Sequence, residues 1–241
     1  MSTASARAER RSPLPFQDIG REQKRRFILD AAANVFGAKG FHAATVQDIT
    51  ERAGIARGTF YLYFRDKRDI YRALSGKLQA QIMEVILPGG ADEVLADETD
   101  VTALIRERLV GLGRLFEREA GSARVFVYRT PGMDPEFEEQ RREFLCDLTN
   151  GIAAVLRTGA ERGVFRPHDP RVAAMCLIGS MDMVIESWLQ TSAERNPPSL
   201  PEMMDEAARF FVPALLAVEA EQRTGASASS TTSTPKRGRT R

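Results

Sequence analysis

The sequence is poor in the residues that build metal, redox and histidine-dependent catalytic sites. Its 241 residues include two cysteines, Cys146 and Cys176, and two histidines, His42 and His168. The cysteines lie far apart in apolar helical patterns with no histidine nearby in sequence. We therefore expect two small core residues in a reducing compartment rather than a metal site or a redox switch. Because nucleophile–base pairs and phosphate loops are also missing, we predict a protein that is not an enzyme and needs no cofactor.

Long apolar runs are missing as well. No run reaches the roughly 18 residues that a membrane span requires, and the first twenty residues lack the apolar segment of a secretory signal. These absences predict a soluble, cytoplasmic protein with no membrane partner. Residues 1–20 and 222–241 are rich in Ser, Thr, Pro, Gly or basic side chains, so we expect both ends to be disordered. The basic tail would add nonspecific attraction to DNA or serve as an inert, solubilising terminus.

Charge is divided unevenly along the chain, although the net charge is only +1. Residues 21–72 carry a net charge of +5, whereas residues 73–221 carry −10. This division suggests a polyanion-binding module attached to a body that the same polyanion would repel. Uneven surface charge without a function is the alternative.

Apolar spacing is helical nearly everywhere, which predicts an all-α protein of about nine helices and no sheet. Gly40 and Gly54 are expected to end the first two helices, and Thr45 to begin the second as its N-cap, with Asp48 completing a capping box. The expected helices span residues 22–39, 45–52, 57–64, 66–87, 100–119, 122–130, 135–162, 171–191 and 201–219.

The first three of these helices have the lengths of a helix-turn-helix module, with a glycine-bearing turn before the third. Phe60 and Phe64 are four residues apart, so they share one face and should anchor the short third helix to its scaffold. Arg57, at the start of this helix, could reach a guanine edge with its planar guanidinium. Tyr61 and Tyr63 could each offer a hydroxyl to a phosphate.

The run FILDAAANVFGAKGFHAATVQDITERAGIARGTFYLYFRDKRDIYRAL closely resembles the N-terminal DNA-binding domain of the TetR family of transcriptional regulators. The match extends over about fifty residues without a gap and includes the turn glycine, the G-T-F-Y-x-Y-F core and the lysine that follows. The resemblance implies two sets of DNA contacts. Those to phosphates come from Thr45, Tyr61, Tyr63 and Lys67. Those at or near bases come from Gln47, Arg57, Gly58 and Thr59.

The same resemblance implies a helical C-terminal domain that binds a small effector in a central cavity and dimerises through its last two long helices. Apolar stripes on those two helices support a homodimer, whereas a monomeric core is the alternative reading. Pro213 should kink or end the last helix. The expected interface residues are Leu177, Met181, Val184, Trp188, Met203, Ala207, Phe210, Phe211 and Leu215.

The effector pocket is expected among apolar residues that could equally belong to any helical core. These candidates are Phe116, Val127, Tyr128, Phe137, Phe144, Leu148, Met175 and Ile178. The segment GVFRPHDPRVAAMCLIGSMDMVIESWL is similar to TetR-family regulators of fatty-acid degradation, whose effectors are long-chain acyl-CoA esters. That similarity implies a Met- and Phe-lined channel for an acyl chain, with arginines such as Arg106 or Arg129 meeting phosphates.

Together these patterns predict a helix-turn-helix DNA-binding domain at 21–68 and a helical ligand-binding and dimerisation domain at 69–221. The resemblance implies a repressor that binds a palindromic operator of double-stranded DNA as a dimer. Its effector would shift the fourth helix and so change the separation of the two reading heads. An effectorless DNA-binding protein and an all-helical enzyme with a DNA-binding appendage are the alternatives.

Overall fold

The computed structural model describes residues 20–89, 100–127, 135–191 and 198–217. The expectations for both chain ends, for Tyr128 and for Arg129 concern residues outside these ranges. Across the described ranges, nine α-helices follow one another and the only β-structure is a single bridge between Phe165 and Leu216. The helices are α1 (Arg21–Ala43), α2 (Val46–Ala53), α3 (Arg57–Tyr61), α4 (Lys67–Ile86), α5 (Val101–Arg118), α6 (Ala120–Val127), α7 (Pro135–Glu161), α8 (Pro170–Thr191) and α9 (Leu200–Leu215).

The chain divides into two compact units between Ala73 and Leu74, a boundary that falls inside α4. The N-terminal unit contains α1, α2, α3 and the first residues of α4. Its core is rich in aromatic rings: Phe41 lies 5.6 Å from Phe36 and 5.0 Å from Tyr71, measured between ring centroids. Phe60 and Phe64 are both buried, with their rings 5.8 Å apart. The two phenylalanines of α3 and the following turn are therefore core residues, as the spacing predicts.

Local sequence determines where the helices of this unit begin and end. Gly40 has a φ of 75° and kinks α1 at the predicted break, although helical turns continue to Ala43. Thr45 and Asp48 form the predicted capping box at the start of α2. The third helix is shorter than predicted, ending at Tyr61 rather than at residue 64. The chain still turns there, because the amides of Tyr63 and Phe64 both donate to the Phe60 carbonyl at 3.0 Å.

The C-terminal unit consists of the rest of α4 and helices α5 to α9. In this unit α9 packs along α5, and α8 packs along α7 and touches α6 and α9. The last helix ends at Leu215, four residues earlier than predicted and two residues after Pro213. Arg166 holds this end, since its guanidinium donates to the carbonyls of Pro213 at 2.8 Å and Leu216 at 3.2 Å. A side chain from a distant loop thus satisfies carbonyls that the helix leaves without intrahelical partners.

The two cysteines are not core residues, contrary to the sequence-based expectation. Cys146 on α7 and Cys176 on α8 are free thiols on the exposed surface of the chain. For Cys176 the apolar pattern misled the prediction, because α8 is apolar on both its inward and its outward side. By length and composition α8 could even cross a membrane, and only 28% of its most apolar 18-residue window is buried.

Close packing of α5 against α9 depends on Gly113. A Cβ added at Gly113 would lie 2.9 Å from the backbone N and Cα of Pro201, at the start of α9. Backbone atoms cannot move aside as the end of a flexible side chain can, so any larger residue at this position would force the two helices apart.

We expect Gly113→Ala to lower the free energy of unfolding by about 1–3 kcal/mol, because it overpacks this contact. Gly76→Ala is the matched control: Gly76 also lies in a helix, but a Cβ there would meet nothing within 4 Å. The control should raise stability by up to about 1 kcal/mol, since alanine favours the helix. Urea denaturation followed by circular dichroism measures both. A Gly113→Ala protein as stable as Gly76→Ala would contradict the close approach of α5 and α9.

Candidate DNA-binding surface and effector cavity

The turn between α2 and α3 is built by Gly54, which has the left-handed conformation with a φ of 61°. The amide of Ile55 then donates to the Thr50 carbonyl at 3.0 Å, so the chain reverses within a few residues and starts α3 at Arg57. A side chain at Gly54 would be strained whatever the space around it, because L-residues seldom adopt this conformation. The two helices and this turn form a helix-turn-helix.

At the start of α2, the negative charge of Asp48 is paired with the positive charge of Lys39. Asp48 accepts from both the amide and the hydroxyl of Thr45, each at 2.9 Å, while its own amide donates to the Thr45 hydroxyl at 3.1 Å. Lys39 donates to the other oxygen of Asp48 at 2.6 Å. The bond from Lys39, followed by those from Thr45, lowers the pKa of Asp48 to about 2. Lys39 thus offsets a carboxylate that would otherwise repel a phosphate near Thr45.

The exposed side of α3 and of the turn that follows it carries three large side chains: the basic Arg57, the aromatic Tyr61 and the aliphatic Leu62. Arg57 Nη2 lies 3.5 Å from the Tyr61 hydroxyl, and its guanidinium carbon lies 6.0 Å from the centre of the Tyr61 ring. Leu62, which follows, is 71% exposed. Gly58 is exposed beside Arg57, whereas Thr59 and Tyr63 are half-buried. On α2, the predicted contact Gln47 is exposed and donates to Glu51 at 2.8 Å.

Lys67, predicted as a phosphate contact, is already bound to protein atoms. Its ammonium donates to the carbonyls of Phe41 at 2.7 Å, Ala44 at 2.8 Å and His42 at 3.2 Å. It also lies 4.5 Å from the centre of the Phe41 ring, and burial lowers the pKa of its amine. An ammonium group has three donor hydrogens, and three carbonyls take them. The structure therefore argues for a structural role that ties α4 to the junction of α1 and α2.

We expect Lys67→Met to lower the free energy of unfolding by about 1–3 kcal/mol, because it leaves partly buried carbonyls without donors. Lys39→Met should cost less, since Lys39 is half exposed and pairs with one surface carboxylate. The measurements are urea denaturation and the salt dependence of DNA binding. If Lys67 instead contacted a phosphate, the variant would keep its stability and lose about one unit of salt slope.

The C-terminal unit contains a partly open cavity of about 160 Å³ lined almost wholly by apolar side chains. Its walls come from the end of α4, from helices α5, α6, α7, α8 and α9, and from Phe165 in the loop after α7. A cavity of roughly 150 Å³ has room for a small apolar molecule such as benzene. This interior can therefore receive an apolar group.

The predicted pocket residues divide into three groups. Phe116, Phe144, Leu148 and Ile178 line the cavity. Val127 and Phe137 are buried but are not among its lining residues. Met175 was placed wrongly, because it is 49% exposed on the outer side of α8. Arg106 is also not at the cavity, since it forms a two-bond ion pair with Asp205 between α5 and α9.

Two charged residues, Arg108 and Asp182, lie among the cavity-lining residues. Arg108 Nη1 donates at 3.0 Å to the carbonyl of Ile86, the last residue of α4. Asp182 accepts from Arg141 Nη2 at 3.1 Å and 3.4 Å. Arg141 also lies over the ring of Phe126, another lining residue, with its guanidinium carbon 5.5 Å from the ring centre. Sequence analysis missed all three charged residues, because no motif marks a single arginine or aspartate on a helix.

Several of the predicted dimer-interface residues lie on the side of their helix that faces the core of the chain itself. Met181, Trp188 and Leu215 are buried in the core of the chain itself, so they are not available to a partner. Leu177 lines the cavity, and Phe210 is 74% exposed. The remaining four predicted residues are partly buried against the same core: Val184, Met203, Ala207 and Phe211.

The outward apolar side of α8 is on a different face of the helix from the predicted interface residues. It carries Val172, Met175, Cys176 and Met183, of which Met183 is 65% exposed. Because α8 has apolar residues on both sides, its sequence did not indicate which side faces the core. Burial of Ala174, Met181 and Ile185 decides the question, since residues spaced three to four apart share a face.

A helix-turn-helix with an exposed basic and aromatic edge, together with a helical unit that contains an apolar cavity, is the arrangement expected of a ligand-binding DNA-binding protein. Comparison with protein families agrees with this class. Residues 28–74 match the model described as bacterial regulatory proteins of the tetR family, and residues 98–209 match the tetracycline repressor-like C-terminal domain. The chain therefore belongs to the TetR family of transcriptional regulators.

Relatives of known sequence or structure agree with this family. The fatty acid metabolism regulator protein of Bacillus subtilis is 26% identical over 167 residues, which cover 67% of this chain and 81% of the relative. FadR from Bacillus subtilis in complex with stearoyl-CoA superposes with a TM-score of 0.62 at 22% identity, over 78% of this chain and 97% of that one. SmeT, the repressor of the Stenotrophomonas maltophilia multidrug efflux pump SmeDEF, gives 0.64 at 19% identity, over 86% and 95%. At these identities the structural likeness shows a shared fold.

Proposed function

We propose that this TetR-family regulator is a homodimeric repressor that binds a palindromic operator and is released by an apolar effector. The observation that carries the proposal is the position of α4. Its first residue, Lys67, holds the α1–α2 junction of the DNA-binding unit, and its last residue, Ile86, lines the cavity. One continuous helix therefore contacts the DNA-binding unit at its first residue and the proposed effector cavity at its last residue. The enzyme alternative has no support from this arrangement.

The DNA contacts are proposed for the exposed side of α3 and the turn after it. Arg57 can offer two parallel N–H groups to guanine O6 and N7 in the major groove. Tyr61 and Tyr63 have hydroxyls suited to phosphates. Leu62, which sequence analysis overlooked, is exposed between the two tyrosines and could contact a thymine methyl group or a sugar. Thr45, Gln47, Gly58 and Thr59 remain predicted contacts at the edges of this surface.

Arg57→Ala should lower affinity for the operator by about 1–3 kcal/mol and relax sequence preference at one base position per half-site. Arg65→Ala is the matched control, because Arg65 is exposed in the same unit but pairs with Asp69 at 3.3 Å. An operator sequence is first selected from a random DNA library. Fluorescence anisotropy with this operator and with its single-base variants then measures the affinity and the sequence preference of both proteins. If the Arg57→Ala protein still distinguished the operator from all single-base variants as the wild type does, Arg57 would not be a base-reading residue.

A second copy of the chain is the proposed occupant of the outward apolar side of α8 and α9. Met183 and Phe210 are both more than half exposed, although such large apolar side chains favour burial. These two helices would form a four-helix bundle with the same helices of the partner. The dimer also explains why α8 is apolar enough for a membrane although the chain buries so little of it. Two reading heads one DNA turn apart would then match a palindrome.

Phe210→Glu should weaken this dimer at least about 30-fold, because a buried aromatic anchor is commonly worth 2 kcal/mol or more. The control is Leu62→Glu, since Leu62 is exposed to a similar extent but lies in the DNA-binding unit. Sedimentation equilibrium measures the dimer dissociation constant of each. A Phe210→Glu protein that stays as dimeric as the control would exclude this side of α9 from the interface.

The proposed effector has an apolar body, because apolar groups make almost the whole cavity wall. One structural relative, FadR, is seen with stearoyl-CoA, and another, SmeT, is seen with triclosan. The FadR complex supports an acyl-CoA-type ligand, and the SmeT complex supports a compact aromatic one. Release of the selected operator by either compound would support the proposal, whereas a protein indifferent to all apolar ligands would be the effectorless alternative.

A further inference from the structure

The direction in which α3 faces away from the protein core is defined by Phe60. This side chain is fully buried, with 0% exposure. Because an α-helix has 3.6 residues per turn, the residues two positions before and two positions after Phe60 point about 160° away from it. These residues are Gly58 and Leu62, and both are exposed. They therefore form the part of α3 that extends furthest from the core.

Leu62 is the only side chain on this outermost line of α3, since Gly58 has none. Its backbone is still helical, with φ −74° and ψ −18°, and its amide donates to the Thr59 carbonyl at 3.3 Å. The side chain of Leu62 is 71% exposed. On one side of it lies the pair of Arg57 and Tyr61, whose polar atoms are 3.5 Å apart, and on the other side lies the half-buried Thr59. An exposed aliphatic group is thus flanked by polar groups at the centre of the proposed DNA-binding surface.

Nothing in the described part of the chain requires a glycine at position 58. The φ of Gly58 is negative, and a Cβ added there would meet no atom within 4 Å. Glycine is less favourable than alanine inside a helix, so the fold alone would favour a larger residue. What a glycine provides is close approach of another molecule to the backbone. Gly58 therefore leaves open space beside Leu62 on the side of α3 that points away from the core.

The major groove of DNA is wide enough to receive the whole of α3. The helix has five residues and is therefore roughly 7.5 Å long, whereas the groove is about 12 Å wide. Sugars and phosphates form the rim of the groove, so they lie nearer to side chains at the flanks of the helix than to the residue opposite Phe60. The floor of the groove consists of base edges, and the only apolar group that these edges present is the C5-methyl group of thymine.

We propose that Leu62 packs on the methyl group of a thymine in each operator half-site, so that α3 reads a thymine as well as the guanine bound by Arg57. This inference rests on the proposed DNA-binding surface and goes beyond it, because it names a second base and excludes a sugar as the partner of Leu62. The two side chains are five residues apart, or roughly 7.5 Å along the helix axis. With base pairs spaced about 3.4 Å apart, the thymine lies within about three base pairs of the guanine.

The first experiment uses the wild-type protein and the selected operator, with one thymine at a time replaced by deoxyuridine in both half-sites. Deoxyuridine keeps the hydrogen-bonding edge of thymine and lacks only its methyl group. We expect one replacement, close to the guanine that Arg57→Ala identifies, to weaken binding about fourfold per half-site, because burial of one carbon group contributes roughly that factor. Fluorescence anisotropy measures the affinities. If no replacement near this guanine changes the affinity, the proposal is wrong.

The second experiment repeats the sensitive replacement with two variants, Leu62→Ala and Thr59→Ser. Leu62→Ala should bind the thymine and deoxyuridine operators equally well, because the methyl group has lost its partner. Since Leu62 is largely exposed, we expect the variant to fold, and the cycle of two proteins and two DNAs isolates this one contact. Thr59→Ser is the matched control: it removes the other aliphatic methyl group of α3, keeps the hydroxyl, and should retain the dependence on the thymine methyl.

A contact between Leu62 and a sugar would give a different result. Leu62→Ala would then weaken binding to all DNA sequences alike, and the difference between thymine and deoxyuridine would persist or never appear. Cytosine and 5-methylcytosine at the same position provide an independent readout, because 5-methylcytosine carries its methyl group at the same place as thymine. The wild-type protein should bind the methylated base more tightly by a similar factor. Equal binding of the two cytosine operators would contradict the proposal.

The outcomes separate this inference from the function on which it rests. If a palindromic operator is selected but none of its thymine methyl groups affects binding, the protein is a sequence-specific regulator and Leu62 does not read a methyl group. If the random library yields no preferred sequence, the proposed operator binding fails as well. The deoxyuridine series needs only the wild-type protein, so the inference is testable without any variant.

Discussion

The ammonium group of Lys67 is the interaction on which the DNA-binding unit most depends. It joins the first residue of α4 to three carbonyls at the junction of α1 and α2. The two helices that frame the turn are short, and helices of this length are unstable alone in water. Their positions rest on buried rings such as Phe41 and Phe60, and on this cationic link between distant parts of the chain. The position of the surface that we propose to face DNA therefore depends on the contacts behind it.

The opposite end of α4 has a comparable arrangement with different chemistry. Arg108 holds the Ile86 carbonyl there, as Lys67 holds the carbonyls of the α1–α2 junction. One cation lies beside an aromatic ring of the DNA-binding unit and the other in the wall of an apolar cavity. Both ends of α4 therefore take part in bonds between a cation and a backbone carbonyl.

Much of the fold follows from local sequence. Spacing of apolar residues predicts the all-α class and nine helices, and the capping box of Thr45 and Asp48 and the left-handed Gly54 mark the boundaries of α2. These features are predictable because each depends on a few neighbouring residues. The error at the last helix is also local, since Pro213 indicates an end but not whether Arg166 will supply the missing donors.

By itself, the sequence determined the helical class, the helix-turn-helix and the exposed Arg57 at its edge, because motif and periodicity are properties of short segments. Tertiary structure decided which side of α8 faces the core, and so exchanged Met181 for Met183 as a candidate for the outer surface. It also decided that Lys67 and Arg108 hold helix ends in their own chain. These two side chains bind carbonyls more than twenty residues away, such as that of Phe41 for Lys67 and that of Ile86 for Arg108. Periodicity along a helix does not identify such partners. It shows that one face is apolar, but not which other element will pack against that face.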